Sequence, residues 1–226
     1  MPGTPDYSLQ KDGNFSFYEN ITLEKFQYFA NVIGLHTGKD IDIIYPRIKD
    51  AEEIVELGPG YGRALDFILE KGYKGKITGV ERIPQFVNYM NERYKGSVTV
   101  EELDIRDYRF ELPRKVGAVL WLWSGILELT AEEQLNCIAE CSRSLVDGGV
   151  LVIEAPYQEI KKLGNVEDSS SKKIKFETEW GTLNAYFTSL DDIENFASKT
   201  GFSRVDYTVY KTDTDLERVV YFLYKD

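Results

Sequence analysis

The segment EIVELGPGYGR, residues 53–63, carries the β-formers Ile54, Val55 and Leu57 and then places glycine at 58, 60 and 62, with Pro59 between the first two. Such a strand runs straight into main chain that turns sharply and stays bare. In an open, mostly parallel sheet, ligands bind beyond the carboxyl ends of the strands. Glycines there let the backbone approach a ligand with no Cβ in the way, and the helix that follows offers free N–H groups to an anion. A plain βα turn would also use glycines, so the surrounding chain has to decide between the two.

Outward from this segment, short apolar runs alternate with amphipathic helical stretches. Residues 54–57, 76–81, 97–103, 116–122 and 149–154 are continuous apolar runs, as expected of strands buried on both faces. Helices are expected over 62–71 and 84–94, the second opening on Pro84. Another starts at the Thr130/Glu133 capping pair and repeats Leu135, Ile138, Ala139, Ser142 and Leu145 before DGG; the last runs from Ser189 to Gly201. Two closing strands, 202–210 and 218–224, are separated by KTDTDLE, short enough for antiparallel pairing. Residues 1–50 stand apart as a partly helical cap. Residues 21–33 place Phe26, Phe29, Ala30 and Ile33 on one stripe, and a shorter helix over 40–45 ends before Pro46. Residues 157–187 form an insertion, with a surface loop at EDSSSKK and a hairpin turning near Trp180–Gly181.

The chain has 226 residues, 42% of them hydrophobic and 13% aromatic, enough for one full core. Its net charge of −11 argues against a broad nucleic-acid footprint. Two cysteines point to a reducing compartment without a disulfide framework. The first residues show neither a basic nor an apolar leader region, and the longest apolar run, 116–123, is too short to span a bilayer. A soluble, cytoplasmic protein is therefore expected.

Glycine spacing narrows the ligand. The dinucleotide fingerprint needs G-x-G-x-x-G, but Arg63 stands where its third glycine belongs. Glu56 lies just upstream; a carboxylate there is a liability beside a diphosphate and stabilising beside an ammonium group. With these stations in order, residues 52–226 resemble the class I S-adenosylmethionine (SAM)-dependent methyltransferases. ELGPGYG resembles the first motif, ITGVERIPQFV the second strand with its acid, and EELDIRDY the third strand. GAVLWLWSGIL resembles the fourth strand, SLVDGGVLVIEAP the fifth, and YFTSLDDIENFASKTGF the late helix. The resemblance implies an α/β, Rossmann-like, doubly wound seven-stranded sheet, mostly parallel with an antiparallel last strand. Gly117 departs from it, standing where many members carry an acid.

It also implies a site. SAM, leaving as S-adenosylhomocysteine (SAH), would meet Glu56, Gly58, Gly60 and Gly62 around its methionine end, with Glu81 on the ribose hydroxyls. Arg82 and Ile83 would flank the adenosine, Asp104 would accept from the adenine amino group and Ile105 pack the ring, and Trp121 and Leu122 would line the methionine arm. Each has a plainer reading: Glu81 as a solvated strand end, Asp104 as a cap, Trp121 and Trp123 as core. No metal is expected. Candidates to meet the acceptor are Trp123, Ser124 and Glu128 after the fourth strand, Tyr157 after the fifth, Tyr18 in the FSFYENI segment, and His36 as a possible base. FSFYENI could equally be a hydrophobic clasp. Cys137 and Cys141 fall within the fourth-strand helix and read as packing. A small-molecule methyltransferase acting at O, N or S leads. A protein side chain as acceptor and a non-catalytic partner subunit of the same fold are the alternatives.

Overall fold

The computed structural model describes residues 11–109, 115–157, 165–168 and 172–226. Three helices come first, α1 (Gly13–Asn20), α2 (Leu23–Val32) and α3 (Lys39–Ile48). The alternating part follows: β1 (Glu53–Leu57), α4 (Arg63–Glu70), β2 (Lys76–Glu81), α5 (Pro84–Tyr94), β3 (Thr99–Glu102), β4 (Val116–Trp121), a 3-10 turn (Gly125–Glu128), α6 (Ala131–Ser144) and β5 (Leu145–Pro156). The chain ends with β6 (Asn165–Asp168), β7 (Lys173–Thr178), β8 (Gly181–Tyr186), α7 (Leu190–Thr200), β9 (Arg204–Lys211) and β10 (Glu217–Tyr224). Seven strands form one sheet in the order β3-β2-β1-β4-β5-β10-β9, and the last strand, β10, runs antiparallel to both its neighbours. The expected architecture is the observed one. Because the chain steps outward in opposite directions from β1, a crevice opens between the ends of β1 and β4.

The strands are apolar on both faces because both are covered. Ile41, Ile44 and Ile48 of α3, Leu65 and Ile68 of α4 and Met90 of α5 pack on Ile54, Leu120 and Val152. Ile138 of α6 with Ile193 and Phe196 of α7 pack on Val55, Val119 and Ile153. Cys137 and Cys141 lie in this second layer as buried free thiols. The Thr130/Glu133 and Ser189/Asp192 capping boxes form as expected, and Gly201 ends α7 in the left-handed region.

Two expectations are corrected. The helix expected over 40–45 continues through Pro46 to Ile48. Three fully buried isoleucines, each worth about 1.5–3 kcal/mol, outweigh the roughly 3 kcal/mol of an interior proline. Residues 15–20 of FSFYENI, whose shape the sequence left open, are helical within α1, capped by Asp12, whose carboxylate accepts from the Phe15 N–H at 2.8 Å. Finally, Leu145 belongs to β5 and not to the helix before it. DGG sits inside that strand as an irregularity, Val116 pairing with Leu145 and Ala118 with Val150. Gly117 has its own reason: a Cβ there would lie 2.7 Å from Cβ of Ala51.

The hairpin turns as expected, between Thr178 and Gly181. The surface loop expected at EDSSSKK falls partly on residues 169–171, outside the described residues, as does the leader reading of residues 1–10. Helix α1 and β8 are joined reciprocally. Asn14 Nδ2 donates to the Asn184 carbonyl at 2.8 Å, and the Asn184 N–H donates to Asn14 Oδ1 at 2.7 Å. Together with α2 they form a roof over the carboxyl ends of the strands. Among the described residues, no helix is long and apolar enough to cross a membrane.

Candidate functional site

A cavity of about 440 Å³ lies under this roof. Its floor is the β1 end with Glu56, Gly58 and Gly60, the β2 end with Glu81, Arg82 and Ile83, and the β4 end with Trp121 and Leu122. Asp104 and Ile105 close one side, and Trp123, Ser124 and Glu128 line it beyond β4. Tyr18, Phe26 and Phe29 come down from the cap, Phe176 and Leu183 from the hairpin.

The loop glycines do three different jobs. Gly58 has φ +66°, and a Cβ on it would meet nothing within 4 Å, so its bare face is open to the cavity. Gly60, at φ +58°, is covered instead by the cap: a Cβ would lie 2.8 Å from Phe26. Gly62 does not line the cavity. It caps α4 at φ +85° and its carbonyl accepts from the Tyr94 hydroxyl, which a Cβ would meet at 2.3 Å. Its assignment as a ligand contact is therefore corrected to a structural one. Gly62→Ala should destabilise the fold by about 1–3 kcal/mol, and Tyr94→Phe in the same chain should not recover it, because the strained φ remains. A denaturant titration reads this directly.

The carboxylates define the chemistry of the floor. Glu56 is 3% exposed and its Oε2 has no hydrogen-bond partner. Burial, only partly opposed by the Arg63 guanidinium, pushes it up to about 8. Glu81 accepts from the Ile83 N–H at 2.8 Å and the Gly60 N–H at 2.9 Å, which ties the end of β2 to the glycine loop. Burial still raises it to about 7, against those two bonds. At Asp104, burial works against the charge, but the Arg106 hydrogen bonds and the charge of Arg82 more than reverse it. Its oxygens accept from the Arg106 N–H and Nε (both 2.9 Å), Arg106 Nη2 (2.7 Å) and Arg82 Nη1 (3.0 Å). An incoming amino group would reach Asp104 only by displacing one of these. Asp12, from the cap, bonds the same two arginines.

Beyond β4 the backbone is strained. Trp123 and Ser124 have φ of +48° and +64°, a region that costs a side-chain-bearing residue roughly 1–2 kcal/mol. Glu154, fully buried on β5, holds the turn. Its Oε2 accepts from the Trp123 N–H at 2.9 Å, and its carbonyl accepts from the Ser124 N–H at 2.9 Å. The same carboxylate is paired with Arg218, whose Nη2 also donates to Ser124 Oγ at 2.7 Å. Held this way, the Trp123 ring stacks on Phe26 at 4.9 Å and 12°, with the Arg63 guanidinium 5.7 Å from its centroid. The Tyr18 hydroxyl donates to Glu128 Oε1 at 2.6 Å. Burial, with the Tyr18 bond and the Arg82 charge opposing it, raises Glu128 above its ordinary value.

Two sequence candidates stand apart from this cavity. His36 is exposed in the loop between α2 and α3, and Tyr157 is 46% exposed just beyond β5; neither lines the site. Conversely, Asp12, Arg63, Phe176, Leu183 and Arg218 line it without having been expected there. Arg63 carried a signal, being a charge at the first helical position after a buried loop. Arg218 did too, being a charge next to a continuous apolar run, and its partner Glu154 likewise ends one on the neighbouring strand.

Comparison with known proteins adds the following. A family model described as a methyltransferase domain matches residues 54–149. Among solved structures, SAM-bound CalS10, an amino pentose methyltransferase from Micromonospora echinaspora, aligns at 17% identity and TM-score 0.62, over 90% of this chain and 97% of its own. The CcbJ methyltransferase from Streptomyces caelestis aligns at 14% identity and TM-score 0.67, over 84% and 90%. The glycopeptide N-methyltransferase MtfA with sinefungin aligns at 16% and 0.64, over 83% and 86%. By sequence, no curated protein matches the chain significantly.

Proposed function

We propose that the chain, whose residues 54–149 match a methyltransferase-domain model and whose fold is shared with SAM-bound methyltransferase structures, is a SAM-dependent methyltransferase that methylates an O, N or S atom of a small molecule, releasing SAH. The observation that carries this reading is the pair Glu56 and Glu81 at the bare loop: a buried carboxylate oxygen with no partner beside a glycine whose Cβ direction is empty. SAM supplies a methyl carbon already activated by the positively charged sulfur. The protein's part is then alignment and exclusion of water.

In this reading Glu56 stabilises the methionine ammonium, and Gly58 lets the backbone come close to it. Glu81 accepts from the ribose hydroxyls, Ile83 and Ile105 pack the adenine, and Arg82 and Asp104 fix the wall beside it. Trp121 and Leu122 line the arm that leads to Trp123. Helices α1 to α3 act as a cap and the hairpin as a lid, which suits a small acceptor better than a protein side chain. CalS10 is named for an amino pentose and MtfA for a glycopeptide nitrogen, both in keeping with such an acceptor. With two buried free thiols, a cytoplasmic setting is part of the proposal.

Thermal melts with SAM, SAH and NAD test it. SAM and SAH should raise the midpoint and NAD should not; no response to the first two rejects the reading. Labelled SAM with fractionated cell extract should then yield a methylated small molecule. Labelling of nothing across broad extracts would favour the partner-subunit alternative.

Protons should move as well. The folded chain keeps Glu56 and Glu81 protonated to about 8 and 7, whereas unfolded carboxyls titrate near 4.5. Stability of the unliganded protein should therefore fall as pH rises from about 4.5 through about 8. Bringing an ammonium group to Glu56 favours its ionised form, so SAM binding near pH 7 should release on the order of one proton. Calorimetry in buffers of different ionisation enthalpy measures it, and a buffer-independent binding heat would refute it.

A further inference from the structure

Resting on the SAM reading, we propose that the methyl acceptor is a small amine that enters as its ammonium ion, held by the aromatic wall and the Glu128 carboxylate, and that Glu128 takes the proton it must lose.

The charge balance of the cavity leads there. Five carboxylates and three guanidiniums line it, but the guanidiniums are already matched. Arg63 is bound bidentate by Asp40, at 3.0 and 2.5 Å, and Arg218 by Glu154; both acids lie outside the lining. Arg82, with Arg106 behind it, is matched by Asp104 and Asp12. Glu128 is left without an ion pair of its own, because the nearest cation, Arg82 at 4.0 Å, is already held by Asp104 and Asp12. SAM brings a sulfonium and an ammonium against one carboxylate, a net charge of +1, which an ionised Glu56 balances, so Glu128 is the negative charge left to face the acceptor. An anionic acceptor would add to that charge and a neutral alcohol would leave it; an ammonium ion relieves it.

The roof offers the matching surface. Phe26 stacks between Trp123 at 4.9 Å and Phe86 at 5.1 Å, with Tyr18 edge-on at 5.4 Å. These rings already take a cation, since Arg63 sits over Trp123, and such faces attract ammonium within about 6 Å. Glu128 stands beside them. Tyr18 fixes its Oε1 by a 2.6 Å bond, and Oε2, with Arg82 Nη2 4.0 Å away, takes the proton. The amine gives one N–H proton to that carboxylate. Its freed lone pair then bonds the methyl carbon as the C–S bond breaks, the bonding pair returns to sulfur, and the methylated product leaves as an ammonium ion.

The test uses the full chain saturated with SAH and the matched probes benzylamine, benzyl alcohol and phenylacetate, with binding read by tryptophan fluorescence. Benzylammonium should bind about tenfold or more tighter than either partner probe, and Glu128→Gln should cut that preference severalfold. If benzylammonium binds no better than the alcohol, or not at all, or if phenylacetate binds best, the amine assignment is overturned. A preference that survives intact in Glu128→Gln overturns the role given to Glu128. SAH binding is measured first, so its failure counts against the SAM reading, while SAH binding without an ammonium preference counts against this inference alone.

Discussion

Glu81→Gln should fold and yet lose nearly all of the midpoint shift that SAM or SAH produces. The carboxylate does two things at once. It accepts the Gly60 and Ile83 N–H groups, joining β2 to the glycine loop, and it lines the cavity, where the proposed function gives it the ribose diol. The amide keeps the shape and one acceptor oxygen, so the backbone bonds survive in part. It cannot accept two hydroxyls with charge-assisted bonds, each worth about 1.5–3 kcal/mol. Their joint loss corresponds to roughly a hundredfold to ten-thousandfold weaker binding. Glu81→Ala should lose the shift too, and also orphan two backbone donors at about 1–3 kcal/mol each. Comparing the two variants separates a binding defect from a folding one. A Glu81→Gln protein with an undiminished ligand shift would remove the ribose assignment.

The second large effect should come from Glu154→Ala. This residue contacts no solvent, and its carboxylate is paired with Arg218 and accepts from the Tyr210 hydroxyl at 2.8 Å and the Trp123 N–H at 2.9 Å. Truncation leaves a buried guanidinium unpaired, which costs about 3–5 kcal/mol. For a chain of this size that is a fall in midpoint of roughly 6–20 °C. Replacing both partners, Glu154→Leu with Arg218→Met, should recover much of it, because no charge is then stranded. Circular dichroism melts distinguish the outcomes; a single mutant within a degree or two of the parent would mean that the pair is not buried as described. The double mutant should still bind cofactor poorly, since the left-handed turn at Trp123 loses the carboxylate that tethers it.

Much of this was readable before any coordinates. The continuous apolar runs fixed which segments are strands because a parallel sheet buries both faces, and the spacing of Gly58, Gly60 and Gly62 set apart the loop from a dinucleotide fold. Where local rules failed, a longer-range contact had won. Pro46 signals a helix end, but its signal is weaker than the joint burial of Ile41, Ile44 and Ile48. Gly62 looks like its two companions in sequence, and only the approach of Tyr94 from α5 shows that it faces away from the cavity. Asp12, Arg63 and Arg218 come from three remote stretches. Their partners, at 82 and 106 for the first, 40 for the second and 154 for the third, are set by strand order and cap docking, which residue spacing does not encode. Tyr157 and His36 were plausible by chemical type alone, and the backbone turns both toward solvent.

The reciprocal bonds between Asn14 and Asn184 join residues 170 positions apart. In a chain made from its amino end, α1 emerges well before its partner strand, which follows some 170 residues later. The rings of Phe15 and Phe17, buried in the finished molecule, therefore wait uncovered while the central sheet assembles. Loop-closure entropy makes so distant a pairing slow to nucleate. The roof over the cavity can therefore close only once β8 has been made, and the interior beneath it becomes dry no earlier.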